Sequence, residues 1–220
     1  IPGFFMLACF NIAKLSRCSF LNLSKNLPLL TLGLGIVAFC VYFLGLSGPF
    51  MFDDGPALMS NQFLAFDGRV ADNWRIASFS SDAGALYRPL SMLSFSVNYS
   101  IADGLVSLHI KAINLLIHFV CAGLVFVFAR QVIRQINNYD SSGSSDHVAL
   151  FCAGLWVLSP LHVSTVLYSV QRMAQLSTLF VLVGLVFFMY RREIWARAGA
   201  NVAQILSTIL WLLLILFFGL

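Results

Sequence analysis

Apolar positions in this chain fall in long blocks rather than in periodic stripes. Blocks fill 27–47, 107–129, 148–160, 171–190 and 201–220. A helix needs roughly 20 apolar residues to cross a bilayer, so most of these read as membrane spans. From Val148 to Tyr190 the only formal charge is Arg172, and two spans must share that stretch. Ser159-Pro160 divides it, because proline breaks a helix and turns the residue before it away from helical geometry. The block 148–160 is short for a span. The spacing therefore predicts a bent or re-entrant segment over 161–169, enclosed in protein rather than facing lipid.

The stretch 48–106 has a different texture. Structureless loops beyond about 12–15 residues are uncommon, and this one is rich in Phe, Leu and Met and carries Trp74. Pro56 opens a predicted helix reaching Phe66, and Pro89 opens another reaching Tyr99. In the second, Leu90, Leu93, Val97 and Ile101 share one face, which predicts a helix lying along the membrane surface. The polar run inside 131–147 predicts a flexible cytoplasmic loop.

Composition sharpens the class. Of 220 residues, 60% are hydrophobic and 10% charged, with a mean hydropathy of +0.88. Soluble domains run about 45–50% apolar and about 25% charged, so a soluble globular protein is excluded. The net charge of +4 comes from single or paired basic residues beside apolar blocks. They read as topology determinants, not as a nucleic-acid surface. Lys14, Arg17 and Lys25 place segment 1–26 in the cytoplasm, while six Asp against three Arg place 48–106 outside. Arg130 and Arg134, then Arg191, Arg192 and Arg197, return inside. The cysteines show no CxxC spacing, so no zinc or disulfide framework is indicated. The chain opens on Ile1 and stops within an apolar block, and a piece of a longer protein is expected.

The remaining polar residues are the candidate chemistry. Ser107, Lys111, Asn114 and His118 share one face of the second span, and Tyr168, Gln171, Arg172 and Gln175 form a similar stripe, spaced i, i+3, i+4, i+7, at the start of the fourth. Such groups in a span face a cavity or a partner, and two readings stand: hydrogen bonding between helices or a substrate-facing stripe. With His162 they could ring a cavity mouth, where a guanidinium matches phosphate or carboxylate. Asp53-Asp54, just beyond the first span, could act as a base or hold a divalent metal ion. Followed by Gly55-Pro56, the pair is equally a surface turn. The sequon Asn98-Tyr99-Ser100 is a weak signal.

The order of motifs adds a resemblance. Phe52-Asp53-Asp54, Tyr87-Arg88-Pro89-Leu90-Ser91, Leu108-His109 with Asn114 to His118, Leu158 to His162, and Tyr168 to Met173 follow one another. Together they resemble the amino-terminal membrane region of the transmembrane and tetratricopeptide-repeat O-mannosyltransferase family, over residues 27 to 190, especially its bacterial relatives. The resemblance implies an all-α, polytopic class C glycosyltransferase-like fold with surface helices in the first outer loop. It implies transfer of a sugar from a polyprenyl-phosphate donor to a protein or glycan hydroxyl, at the outer face of a bacterial inner membrane. Asp53 or Asp54 would then be catalytic. Arg88, Lys111, Asn114, His118, His162, Gln171 and Arg172 would bind substrate. Animal members carry His-Pro where this chain has Ser159-Pro160, so a histidine role there does not transfer, and any tetratricopeptide repeats would lie beyond Leu220. The competing expectation is a non-catalytic scaffold or transporter. A transporter would show an internal repeat, and none is evident.

Overall fold

The computed structural model describes residues 23–64, 71–81, 88–136, 143–199 and 201–219. Among them every regular element is helical: α1 (Leu23–Leu46), α2 (Ala71–Ser78), α3 (Pro89–Ala102), α4 (Ser107–Ile136), α5 (Gly143–Val157), α6 (His162–Leu167), α7 (Arg172–Ala198) and α8 (Val202–Gly219). Three helical stretches, Asn26–Leu46, Ser107–Ile136 and Ser169–Ala196, are long and apolar enough to cross a membrane, while Ser145–Val157 and Val202–Phe217 are shorter apolar helices. The protein is an all-α polytopic membrane protein.

Burial follows from the solvent. Lipid tails are as apolar as leucine, so a span has no reason to hide its large apolar residues. Leu29, Leu32, Phe43 and Leu44 of α1 point outward, whereas the small Ala38 is fully buried against Ala122 of α4 and Val157 of α5. Small residues let helix backbones approach closely, which is where packing attraction is gained. A second cluster joins Tyr42 and Leu46 of α1, Leu115 of α4 and Val166 of α6. A third gathers Leu58, Leu64, Met92, Phe95, Ile110 and Met173, and ties the segment before α2 and helix α3 to the ends of α4 and α7.

The expected break after α5 is present. The helix stops at Val157, and a turn through Pro160 leads into the short α6, six residues whose carbonyls α7 does not cap. Interrupted backbone at this depth needs internal partners. Asn114 supplies them, its Nδ2 donating towards the carbonyls of Val166 (3.3 Å), Tyr168 (3.4 Å) and Ser169 (3.2 Å). Asn114→Leu keeps the volume but strips these carbonyls of their donor. The expected loss is roughly 1–3 kcal/mol, the range for a buried polar group left unsatisfied. Thermal unfolding in detergent measures it, and an unchanged midpoint would show that the bend is held by other means.

Two expectations are corrected. The helix expected over 56–66 is instead a wide turn at Gly55–Met59 and a tight turn at Gln62–Leu64; residues 65–66 lie outside the described residues. Asn61 sits in the break, accepting the Phe63 N–H (3.0 Å) and donating to the Ser80 carbonyl (3.1 Å). Such local side-chain bonds compete with the helical ladder. The loop expected over 131–147 is helical at both ends. The Arg130 guanidinium grips the Asp146 carboxylate at 2.5 and 3.0 Å across the gap, and 137–142 lie outside the described residues.

The face of α3 that packs inward is not its apolar stripe. Its buried residues are Ser91, Met92, Phe95, Ser96 and Asn98, and Ile101 of the expected apolar stripe is 79% exposed. The more polar face turns inward because it supplies oxygens to a buried cation. The same burial bears on the sequon, since the side chain of Asn98 is engaged by Arg172 and is not presented for a glycan.

Candidate active site

The polar face of α4 is turned into the protein, and along its length its donors meet carbonyls that helices leave open. Ser107 Oγ (2.6 Å) and Lys111 Nζ (2.8 Å) donate to the carbonyl of Gly48, and Lys111 also donates to that of Pro49 (3.0 Å). Both carbonyls lie just past the end of α1, where a helix leaves acceptors without partners. Asn114 serves the α6 bend. One turn further, the ring Nε2 of His118 lies 3.2 Å from the Val157 carbonyl at the end of α5, and 3.5 Å from Tyr42 Oη. Lys111, Asn114 and His118 are 2%, 0% and 3% exposed. Of the two readings of this stripe, the geometry supports hydrogen bonding between helices.

Arg172, at the first residue of α7, is fully buried. A guanidinium has five N–H donors, and each finds an oxygen here. Nε donates to Asn114 Oδ1 (2.9 Å). One terminal nitrogen donates to the carbonyl (3.2 Å) and hydroxyl (3.3 Å) of Ser94, and the other to Asn98 Oδ1 (3.1 Å) and the Ile110 carbonyl (2.9 Å). The Phe95 ring lies under it, 4.4 Å from the guanidinium carbon. None of these partners is a carboxylate. Arg172 thus clamps α3, α4 and α7 together, which sequence spacing could not distinguish from a substrate contact.

The two adjacent carboxylates have different surroundings. Asp54 is fully buried, Oδ1 accepting the Val170 N–H (2.8 Å) and Oδ2 the Met51 N–H (3.0 Å). It closes its own turn and caps the backbone leading into α7. Asp53 is exposed, held by its backbone, whose N–H donates to the Tyr168 hydroxyl (2.7 Å). Desolvation and the nearby Asp53 and Asp54 carboxylates keep the Tyr168 phenol above its ordinary range, so it is protonated at neutral pH. Phe52, 81% exposed with φ 45°, packs edge-on to the Tyr168 ring at 6.3 Å. A left-handed backbone at a bulky residue is strained, and such strain gathers at functional sites.

Asp53, Asp54, Lys111, Asn114 and Arg172 therefore belong to one assembly, with Asp53 its exposed member. His162 stacks deeper against Trp156 (4.4 Å between ring centres) and His118 (5.2 Å). Gln171 is half-buried just before α7, and Gln175 donates to the Thr165 carbonyl (3.0 Å). Arg88 stands apart from this assembly at the start of α3, with φ 43°, and lines a cavity with Phe79, Met173 and Phe217. Among the described residues no three His, Cys, Asp or Glu side chains gather to hold a metal ion. Both Asp54 oxygens face N–H donors, so a divalent ion at this pair would rest on Asp53. Sequence reading did not join Phe52 and Tyr168 as supports of Asp53; their signal was that each opens a motif.

These features define a polytopic helical membrane protein that presents one carboxylate at the rim of a buried polar core. Comparison with known proteins bears out the resemblance to the transmembrane and tetratricopeptide-repeat O-mannosyltransferase family. The chain is 29% identical over 197 residues to Protein O-mannosyl-transferase TMTC4 of Homo sapiens, covering 84% of this chain and 25% of that protein. It is 26% identical over 198 residues to the Mus musculus protein of the same name, covering 84% and 26%. To Protein O-mannosyl-transferase Tmtc1 of Drosophila melanogaster it is 28% identical over 170 residues, covering 75% and 18%. The chain thus spans about a quarter of the length of the first two relatives. No family model matches it, and no solved structure does. These relatives are animal proteins and lend no support to the bacterial membrane expected from the sequence.

Proposed function

We propose that the chain is the amino-terminal membrane region of a glycosyltransferase of the class C type, which moves a sugar from a polyprenyl-phosphate donor to a hydroxyl of a protein or glycan. The observation that carries this reading is the division of labour at the acidic pair. Asp54 is used up in holding the loop, while Asp53 has an exposed carboxylate next to the strained backbone of Phe52 and is anchored through its N–H to the Tyr168 hydroxyl. A base needs that combination of fixed position and an accessible carboxylate.

In the reaction, Asp53 takes the proton of the acceptor hydroxyl as its oxygen bonds to the anomeric carbon. The bond from that carbon to the phosphate oxygen breaks, and the lipid phosphate leaves with the electron pair. Behind Asp53, the cationic side chains Lys111 and Arg172 are buried with the single carboxylate of Asp54. That formal excess of one positive charge favours the charge developing on the leaving phosphate. Basic residues beside the spans support a cytoplasmic amino terminus and an outward-facing Asp53.

The test uses the complete protein. Asp53→Asn is expected to end sugar transfer at unchanged expression and topology. Transfer at the wild-type rate would overturn the assignment of Asp53 as the base, and absence of transfer by the wild-type protein would overturn the glycosyltransferase reading.

A further inference from the structure

Three cavities lie side by side on the α2–α3 side of the acidic pair, and their linings change in one direction. The first, about 470 Å³, begins at Gly55 and Pro56, immediately after Asp53-Asp54, and is walled by Ser60, Asn61, Gln62 and Ser80 with Phe63. The second, about 710 Å³, shares Phe63 and Ser80 with it and adds Arg75, Ile76 and Phe79. The third, about 340 Å³, shares Phe79 and runs between α3, α7 and α8, with Arg88 at one end and Leu90, Met173, Leu176 and Phe217 along its walls. Each has the size of a small-molecule site, roughly 300–1,000 Å³.

The sequence of chemistries is hydroxyls and amides beside one aromatic ring, then a guanidinium, then an apolar slot with a second guanidinium at its edge. Neither Arg75 nor Arg88 has a side-chain hydrogen bond or ion pair among the described residues, in contrast to the fully engaged Arg172. Unpaired arginines match phosphate oxygens in a bidentate fork. A polar end, a cationic middle and an apolar end match a ligand that is itself a polar head, a phosphate and a hydrocarbon tail.

We infer that these joined cavities form the seat of the lipid-linked donor: the tail lies in the slot between α3, α7 and α8, the phosphate is held by Arg75 and Arg88, and the sugar occupies the polar chamber next to Asp53. This deepens the proposed function and rests on it. It assigns Arg75 a phosphate-binding role and places the donor on the α2–α3 side, not on the polar stripe of α4. Arg75 is exposed and Arg88 half-buried, so neither is needed to hold the fold.

The test uses the complete protein in lipid nanodiscs and a photoreactive farnesyl phosphate, with farnesol and inorganic phosphate as half-ligands. Crosslinks are expected in the peptides carrying Leu90, Leu176 or Phe217. Arg75→Gln and Arg88→Gln should each weaken farnesyl phosphate labelling roughly tenfold, as expected for a lost charge-assisted hydrogen bond of about 1.5 kcal/mol or more. Farnesol labelling should change less than about twofold, because it carries no charge to be recognised. Competition by inorganic phosphate that fails in both variants would mark the phosphate seat itself. Crosslinks confined to other helices, or equal labelling in wild type and both variants, would overturn the assignment. Sugar transfer on the same preparations separates the two claims. If Asp53→Asn ends transfer while both arginine variants bind and transfer like wild type, the groove is wrong and the glycosyltransferase reading stands. If Asp53→Asn transfers normally, Asp53 is not the base and the donor seat is judged on the labelling alone; if the wild-type protein transfers no sugar, the glycosyltransferase reading falls and the groove assignment with it.

Discussion

Arg172→Met is expected to be the most damaging single substitution in the membrane region. Methionine fills much of the space of the arginine stem but leaves five oxygens, from Ser94, Asn98, Ile110 and Asn114, without a donor. Each buried acceptor left open costs about 1–3 kcal/mol, and partial rearrangement of the two Asn amides makes a total on the order of 3–5 kcal/mol reasonable. Against a typical stability of about 5–15 kcal/mol, that is a large fraction. Arg172→Lys keeps the charge but has three donors on one point and loses the stack on Phe95, so it should fall between wild type and Arg172→Met. Thermal unfolding of detergent-purified protein, read beside its yield in membranes, gives the ranking. Equal midpoints for all three would mean that the cage around Arg172 does not hold α3 to α4 and α7.

Asp53→Asn and Asp54→Asn, adjacent in sequence and identical in chemistry, are expected to fail in different ways. Asp53 is exposed, so its neutralisation should leave stability within about 0.5 kcal/mol of wild type. Transfer should fall by about 10²–10⁴, the usual contribution of a positioned base. In Asp54→Asn an amide replaces one of two oxygens that face the N–H groups of Met51 and Val170, and the carboxylate near Lys111 is lost. A stability loss of roughly 1–3 kcal/mol should accompany any loss of transfer. Paired measurement of unfolding and initial rate separates the two. A stable, inactive Asp54→Asn beside a fully active Asp53→Asn would reverse the assignment.

The value of the sequence pattern depended on which forces it encodes. Apolar blocks report the cost of putting polar backbone and side chains in lipid, and that cost does not depend on the partner. The end of α1, the starts of α4 and α7, and the break at Ser159-Pro160 were therefore legible, whereas α4 and α7 run on to Ile136 and Ala198, beyond the 129 and 190 expected. Periodicity on α3 located its apolar stripe but not its packed face. It measures apolarity, whereas the packed face of α3 is set by a distant guanidinium that needs Ser94 and Asn98 oxygens. The polar stripes were also legible as anomalies, since lipid does not tolerate Lys111, Asn114 or Arg172 without partners. What they were for was not, because Lys111 and the Asn114 amide donate to backbone carbonyls that any sequence possesses, and the acceptors of Arg172 lie on two other helices.

From the sequence alone came the class of the protein, its long helices, the bend between α5 and α7 and the list of side chains that had to be explained. Transfer free energies are local, so a linear pattern records them. Only the tertiary structure decided that the α4 stripe and Arg172 brace the fold, that Asp54 caps the entry to α7 while Asp53 stays exposed, and that Arg75 and Arg88 border one line of cavities. Those outcomes rest on hydrogen bonds and charges between residues up to 116 positions apart, and such pairings exist only once the chain has closed on itself.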